Sequence, residues 1–183
     1  MPSGRTHDSI TLWCLVPLSV LGFALTQNGT IVLVLCACFL FSGLMFGPDL
    51  DIHSQQYKRW GPLRSIWLPY RHSMSHRSSL SHGPIIGTAL RVGYLFTLVA
   101  TLAITIRLGW AIGQNMRNPD LQWSSLVFPW IDQWVRAIAH SLKSHPGLWI
   151  AAFLGLEMGA MSHSISDLLG SWIKRQQRKR ARR

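Results

Sequence analysis

A chain of 183 residues is one domain's worth of protein, and its 48 % hydrophobic residues, nine Trp and only 14 % charged residues exclude an ordinary water-soluble enzyme. The profile is that of a small integral membrane protein. The net charge of +11 is concentrated at one end, where seven of the ten residues 174–183 are basic.

The amino terminus, MPSGRTHD, has no small-residue cleavage site after the first apolar run and does not resemble a secretory signal. Residues 10–26 and 30–46 are apolar stretches of about 17 residues, the lower limit for a helical span. Gln27-Asn28-Gly29 between them is a compact turn, so the pair predicts a helical hairpin, with Pro17 bending its first arm. Cys14, Cys36 and Cys38 lie inside apolar runs, without zinc-knuckle spacing, and read as packing residues.

The polar loop from Gly47 to Pro84 follows. Between Asp49 and His82 it holds two Asp and four His, in a chain with only six Asp and one Glu. A DxD followed by HRxxxSH combines hard carboxylate oxygens with imidazole nitrogens, a donor set that suits zinc, iron(II) or manganese. Asp49 and Asp51 could instead cap the next helix; with His76 and His82 close in sequence, ligation is the favoured reading. Arg77 beside His76 could hold a phosphate or carboxylate in two-pronged fashion. His53 and His72 read as surface residues or as neighbours of the ligands. Trp60, Trp67 and Tyr70 among Arg59, Arg64 and Arg71 read as an interfacial belt.

A third apolar stretch covers residues 85–112, with Arg91 and Arg107 near enough to its ends to snorkel. Residues 129–144 repeat apolar side chains every four positions (Trp130, Trp134, Ile138, Leu142) opposite Asp132, Arg136 and Lys143, which predicts an amphipathic helix in the membrane interface. His140 and His145 lie there, away from the other histidines. A fourth stretch, 147–172, carries Glu157, His163 and Asp167. The HxxxD pair projects from one helical face, and an apolar helix needs a reason to hold it. Glu157 points some 120° away and reads as a buried partner for Arg91 or for a polar group of another span.

The predicted fold is all-α: an integral membrane helical bundle of about four transmembrane helices with an interfacial helix. Residues 1–173 form one membrane-embedded metal-binding domain and 174–183 a basic cytoplasmic tail. The positive-inside rule places both termini and the 47–84 loop in the cytoplasm. His7, Asp8, Asp49, Asp51, His76, His82, His163 and Asp167 then gather at one face of the bilayer. The tail is expected to sit near anionic headgroups; nucleic acid is disfavoured because no aromatic or fold-level motif accompanies the charges.

GRTHD, PDLD, the segment with PYR, HRSSLSHG and the late HxxxD, in this order, resemble a family of uncharacterised bacterial metal-binding membrane proteins. They are also similar to the YdjM-like inner-membrane proteins classed as metal-dependent hydrolases, with Ser81 where that pattern has Thr. The resemblance implies a bacterial inner-membrane location and ligands at His7, Asp49, Asp51, His76, His82, His163 and Asp167, with Asp8 and Arg77 beside them. At fold level the order of His and Asp is similar to that of zinc-dependent phospholipase C. Seven candidate ligands exceed the four of a tetrahedral zinc, which favours two ions or more. The expected chemistry is hydrolysis of a phosphoester or ester of a membrane lipid, with Asp8 or Asp51 as general base and Arg77 holding the charged group. The alternative is a non-catalytic metal-binding scaffold or metal-handling protein. A membrane anchor whose tail recruits nucleic acid or an acidic partner is the third reading.

Overall fold

The computed structural model describes residues 4–75 and 78–180, all-helical as expected, with ten helical elements and no strand among them. Four helices are long and apolar enough to cross a membrane: Thr6–Thr26, Gly29–Asp51, Ile86–Arg117 and Pro146–Lys179. The chain forms two compact units, residues 1–91 with 147–183, and residues 92–146.

In the first unit, α1 (Gly4–Thr26) and α2 (Gly29–Leu44) form the expected hairpin. Its turn is built by two side chains. Gln27 takes a left-handed conformation (φ 48°), and the Asn28 carboxamide oxygen accepts from the N–H groups of Thr30 and Ile31 at 3.0 and 3.2 Å. These are donors that a helix start leaves without partners. A hairpin brings the beginning of its first arm beside the end of its second. The polar start of α1 therefore meets the loop that leaves α2.

That loop opens with a 3-10 turn, Pro48–Asp51, then continues through α3 (Gln55–Lys58), a 3-10 stretch (Gly61–Trp67), α4 (Leu68–Ser73) and α5 (Ser79–His82). Pro48 suits the first position of the turn, where its missing N–H costs nothing. Ser54 ties the turn to α3: its hydroxyl donates to the Asp49 carbonyl (2.8 Å) and accepts from the Tyr57 N–H (3.2 Å). The expected interfacial belt is corrected at Trp67 and Tyr70, which are buried. Trp67 packs edge-on against Phe46, Trp60 and Tyr70, at centroid distances of 5.6, 5.1 and 5.7 Å. Short helical pieces have little apolar surface of their own, so the loop needs these rings as its core.

The last helix, α8 (Pro146–Arg180), runs on into the basic segment, so His163 and Asp167 sit mid-helix rather than in closing turns. Ala151, Gly155, Gly159, His163 and Asp167 follow one another at four-residue steps, and each step turns only about 40° around the axis. They form one buried stripe. Its glycines let α8 lie directly on α2. A Cβ at Gly155 would stand 2.3 Å from the Leu35 carbonyl oxygen, and one at Gly159 would stand 2.4 Å from that of Phe39. Backbones approach this closely only where both positions are small, as in the small-xxx-small pattern of membrane helices. Successive positions of α8 meet successive positions of α2, so the two helices run parallel. His163, one step beyond Gly159, arrives at the level of the 3-10 turn.

The second unit comprises α7 (Trp123–Ser144) and α6 (Ile86–Arg117) from Val92 onward. The apolar face of α7 does not look only outward. Trp130, Ile131, Trp134 and Ile138 line a hollow of about 320 Å³ with Phe96 and Ala103 of α6. Pro129 inside α7 removes one backbone hydrogen bond from the preceding turn. Arg107, rather than snorkelling, donates from Nε and Nη2 to the Leu126 carbonyl in that turn (3.2 and 2.9 Å), with its guanidinium 4.3 Å from the Trp110 ring centre.

Candidate metal centre

The site is assembled from four short pieces of the first unit. α1 contributes His7, the 3-10 turn Asp49 and Asp51, α5 His82, and α8 His163 and Asp167. His7, Asp49, Asp51, His163 and Asp167 are each no more than 8 % exposed. His7 Nε2 lies 3.2 Å from Asp167 Oδ1, and His163 Nε2 lies 3.0 Å from Asp49 Oδ2 and 4.0 Å from Asp167 Oδ2. The His7 and His163 rings stack at 3.9 Å. On the other side of Asp49, its Oδ1 is 3.5 Å from His82 Nε2, and His82 Nδ1 is 3.8 Å from Asp51 Oδ2. Asp49 thus turns one oxygen toward His163 and the other toward His82.

These spacings test whether the cluster fits an ion. Nitrogen and oxygen ligands about 2.1 Å from a tetrahedral ion stand roughly 3.4 Å from one another. The observed separations of 3.0 to 4.0 Å bracket that value. His7, His163 and Asp167 each offer one ligand atom, and these lie within 4.8 Å of one another. Asp49 Oδ1, Asp167 Oδ1 and His163 Nε2 are buried without a well-directed hydrogen bond. A buried polar atom left in that state is costly, and a cation is a partner that would relieve it. The donor set is borderline to hard, and it suits zinc, iron(II) or manganese.

Of the residues expected at the site, His76 and Arg77 lie outside the described residues. His53 is exposed beside Tyr57, and His72, His140 and His145 are exposed. Asp8 lines the same cavity as His7, Asp49 and His163, a space of about 200 Å³. Its carboxylate was expected to be free, but Arg59 grips it through both guanidinium nitrogens and also donates to the Leu44 carbonyl (2.8 Å). The hydrogen bonds to Asp8 raise the Arg59 pKa above its ordinary value. The pair is about a third exposed, so water screens it. Arg59→Ala is expected to cost no more than about 1 kcal/mol in a detergent unfolding experiment and to leave metal content unchanged. A loss several times larger would mean that the Asp8–Arg59 pair holds α1 against the loop.

Sequence reasoning anticipated Glu157 as a buried partner but missed the other residues that support the candidate ligands. Arg91 was expected to snorkel but is 1 % exposed, donating to the Ser81 carbonyl (2.8 Å) and the Thr88 hydroxyl (3.0 Å). It fixes the turn that carries His82 and is electrostatically coupled to Tyr70, Glu157 and Asp51. Burial pushes the Tyr70 phenol above its ordinary value, with Arg91 acting in the opposite direction. Glu157 also accepts the Ile85 N–H at 2.9 Å, and Ile85 holds a left-handed conformation (φ 65°) that a β-branched residue adopts only under constraint. Ser166 touches His7, and Ser81 touches His82. A polar residue on the buried face of an apolar helix was the available signal for Ser166. Nothing in the basic loop singled out Arg59.

A family model described as uncharacterized metal-binding protein (DUF2227) matches residues 2–177. The chain belongs to this family. No curated protein and no solved structure matches the DUF2227 chain. The family description agrees in kind with the His7, His163 and Asp167 cluster, which the geometry reaches independently.

Proposed function

We propose that this DUF2227 protein is a membrane-embedded hydrolase that depends on divalent metal and cleaves a phosphoester or similar ester of an amphiphile at the membrane surface. The observation that carries this reading is the convergence of His7, Asp49, His82, His163 and Asp167, from four separate pieces of chain, at a cavity that His7, Asp49 and His163 line. Three carboxylates are buried there, and the one buried guanidinium described nearby, Arg91, is shared with Glu157. The charge balance favours two divalent ions. His7, His163 and Asp167 would hold one, His82 and Asp51 the other, and Asp49 would serve both. Zinc is the first candidate, followed by iron or manganese.

When bound, such ions supply Lewis acidity and a nucleophile usable at neutral pH. The chain's own groups do the rest. Asp51 would take a proton from the attacking water, and Asp8, held by Arg59, lines the cavity. Arg77 is assigned the charged group of the substrate. An apolar hollow of about 580 Å³ between α1 and α8, lined by Ile10, Leu18, Met161 and Ile165, also has Ser166 in its wall, and Ser166 touches His7. An amphiphile's apolar part would therefore have a place beside the chemistry. The proposed setting is a bacterial cytoplasmic membrane with both termini and the basic tail inside, near anionic headgroups.

The burial of the ligands favours a second reading, a non-catalytic metal-binding scaffold or metal-handling protein. One assay separates the two. Protein purified in detergent and loaded with zinc or manganese would be offered a phospholipid, a water-soluble phosphomonoester and an acyl ester. Turnover of the phospholipid that a chelator abolishes and Asp49→Ala removes is the expected result. Full occupancy with no hydrolysis of any substrate would sink the hydrolase and leave the scaffold.

A further inference from the structure

Ser166 has a single hydroxyl proton and two neighbours for its oxygen. Oγ lies 2.8 Å from the His163 carbonyl, which can only accept, and a hydroxyl that donates there has no proton left for its second neighbour. The same oxygen lies 2.6 Å from His7 Nδ1. With its proton used, Oγ can only accept from that ring nitrogen, which must then carry hydrogen. A neutral imidazole has one N–H, so the lone pair is left on Nε2. Nε2 is the atom that faces Asp167 at 3.2 Å.

We propose that Ser166 is a positioning residue that locks His7 in the Nδ1–H form and thereby makes Nε2 its metal-ligating atom. The assignment rests on the metal reading of the same cluster. Ser81 repeats the arrangement on the far side of Asp49. It is fully buried, its Oγ lies 2.7 Å from His82 Nδ1, and the carbonyls of Ser75 and Ser78, each at 3.5 Å, are the acceptors within its reach besides that ring. Again Nε2 is left facing a carboxylate, Asp49. Two histidines on unrelated segments thus carry a serine on Nδ1, although His82 Nδ1 also faces Asp51 Oδ2 at 3.8 Å whereas His7 Nδ1 has Ser166. A partner on the other ring nitrogen fixes ring orientation and raises the basicity of the ligating one, and its loss typically lowers metal affinity 10- to 100-fold.

The test uses the full chain in detergent, with Zn²⁺ alone as probe, in wild type, Ser166→Ala and Ser166→Thr. Zinc affinity is read by competition with a chelator. The His7 tautomer is read from ¹⁵N-histidine NMR of the metal-free protein, with His7→Ala assigning the signal. Wild type and Ser166→Thr should bind zinc within about threefold of each other and Ser166→Ala about 10- to 100-fold more weakly. The His7 signal should change from the Nδ1–H pattern to a mixture only in Ser166→Ala. Unchanged affinity in Ser166→Ala overturns the proposal, and so does weakened binding with an unaltered tautomer. Should wild type bind no zinc, the metal reading falls by itself. The tautomer signal then decides whether the lock exists. Should Ser166→Ala fail to fold, a wild-type His7 carrying its hydrogen on Nε2 overturns the lock.

Discussion

His163→Ala is expected to lower affinity for a divalent ion by about 1,000-fold, roughly 4 kcal/mol at 1.4 kcal/mol per tenfold. The size follows from position. His163 Nε2 lies within 4.0 Å of carboxylate oxygens from both Asp49 and Asp167, and its ring stacks on His7. Removing it takes away a ligand and also leaves two buried carboxylates facing each other across the gap, so the remaining donors cannot close around an ion. His53→Ala is the matched control, because His53 is exposed and its ring neighbour is Tyr57. Bound metal measured by mass spectrometry after dialysis against a weak chelator should be lost in the first variant and kept in the second. Retention in both would remove His163 from the metal centre.

Gly159→Val should destabilise the protein by about 3 kcal/mol and empty the site as well, although the substitution touches no ligand. The new Cβ would begin 2.4 Å from the Phe39 carbonyl oxygen and 2.8 Å from the Gly43 nitrogen, both backbone atoms with little freedom to withdraw. α8 would have to lift from α2, and the 3.0 Å approach of His163 to Asp49 depends on that contact. Gly93→Ala provides the contrast. A Cβ there meets nothing within 4 Å, so the better helix propensity of alanine should leave stability equal or raise it by up to about 1 kcal/mol. Thermal unfolding in detergent together with metal content checks both. An unfolding midpoint for Gly159→Val equal to that of wild type would contradict the close α2–α8 contact.

The sequence makes the long helices legible because each is a run of apolar residues bounded by turn chemistry. Asn28 and Pro146 mark such boundaries within a residue or two of where the helices begin. Candidate ligands were legible for a related reason: His and Asp are so rare in the apolar segments that His163 and Asp167 stand out, while His7 was singled out by its place just before the first apolar stretch and by the family resemblance. Helix ends were harder to see. α1 begins at Gly4 and α8 continues to Arg180, because polar residues can extend a helix whose apolar part is already formed. The fate of Arg91 was legible only in part: Glu157 was read as a buried partner for it, yet the arginine was also expected to snorkel. Whether an arginine near a helix end snorkels or turns inward depends on the tertiary neighbours, here Ser81, Tyr70 and Glu157. Arg59 and Asp8, 51 residues apart, meet only because the hairpin returns α2 to the start of α1.

Packing and chemistry on α8 share a single count. Gly155 and Gly159 set the approach to α2, and His163 and Asp167 continue the same four-residue progression to the ligands. One residue inserted or deleted between Gly159 and His163 would rotate the imidazole and carboxylate about 100° around the axis and shift them about 1.5 Å along it. The glycine contact would stay intact and the amino-acid content almost unchanged, yet both donors would face away from Asp49. For this helix the interval between residues carries as much information as the residues themselves. A change of phase would erase the centre where many changes of side chain elsewhere on α8 would not.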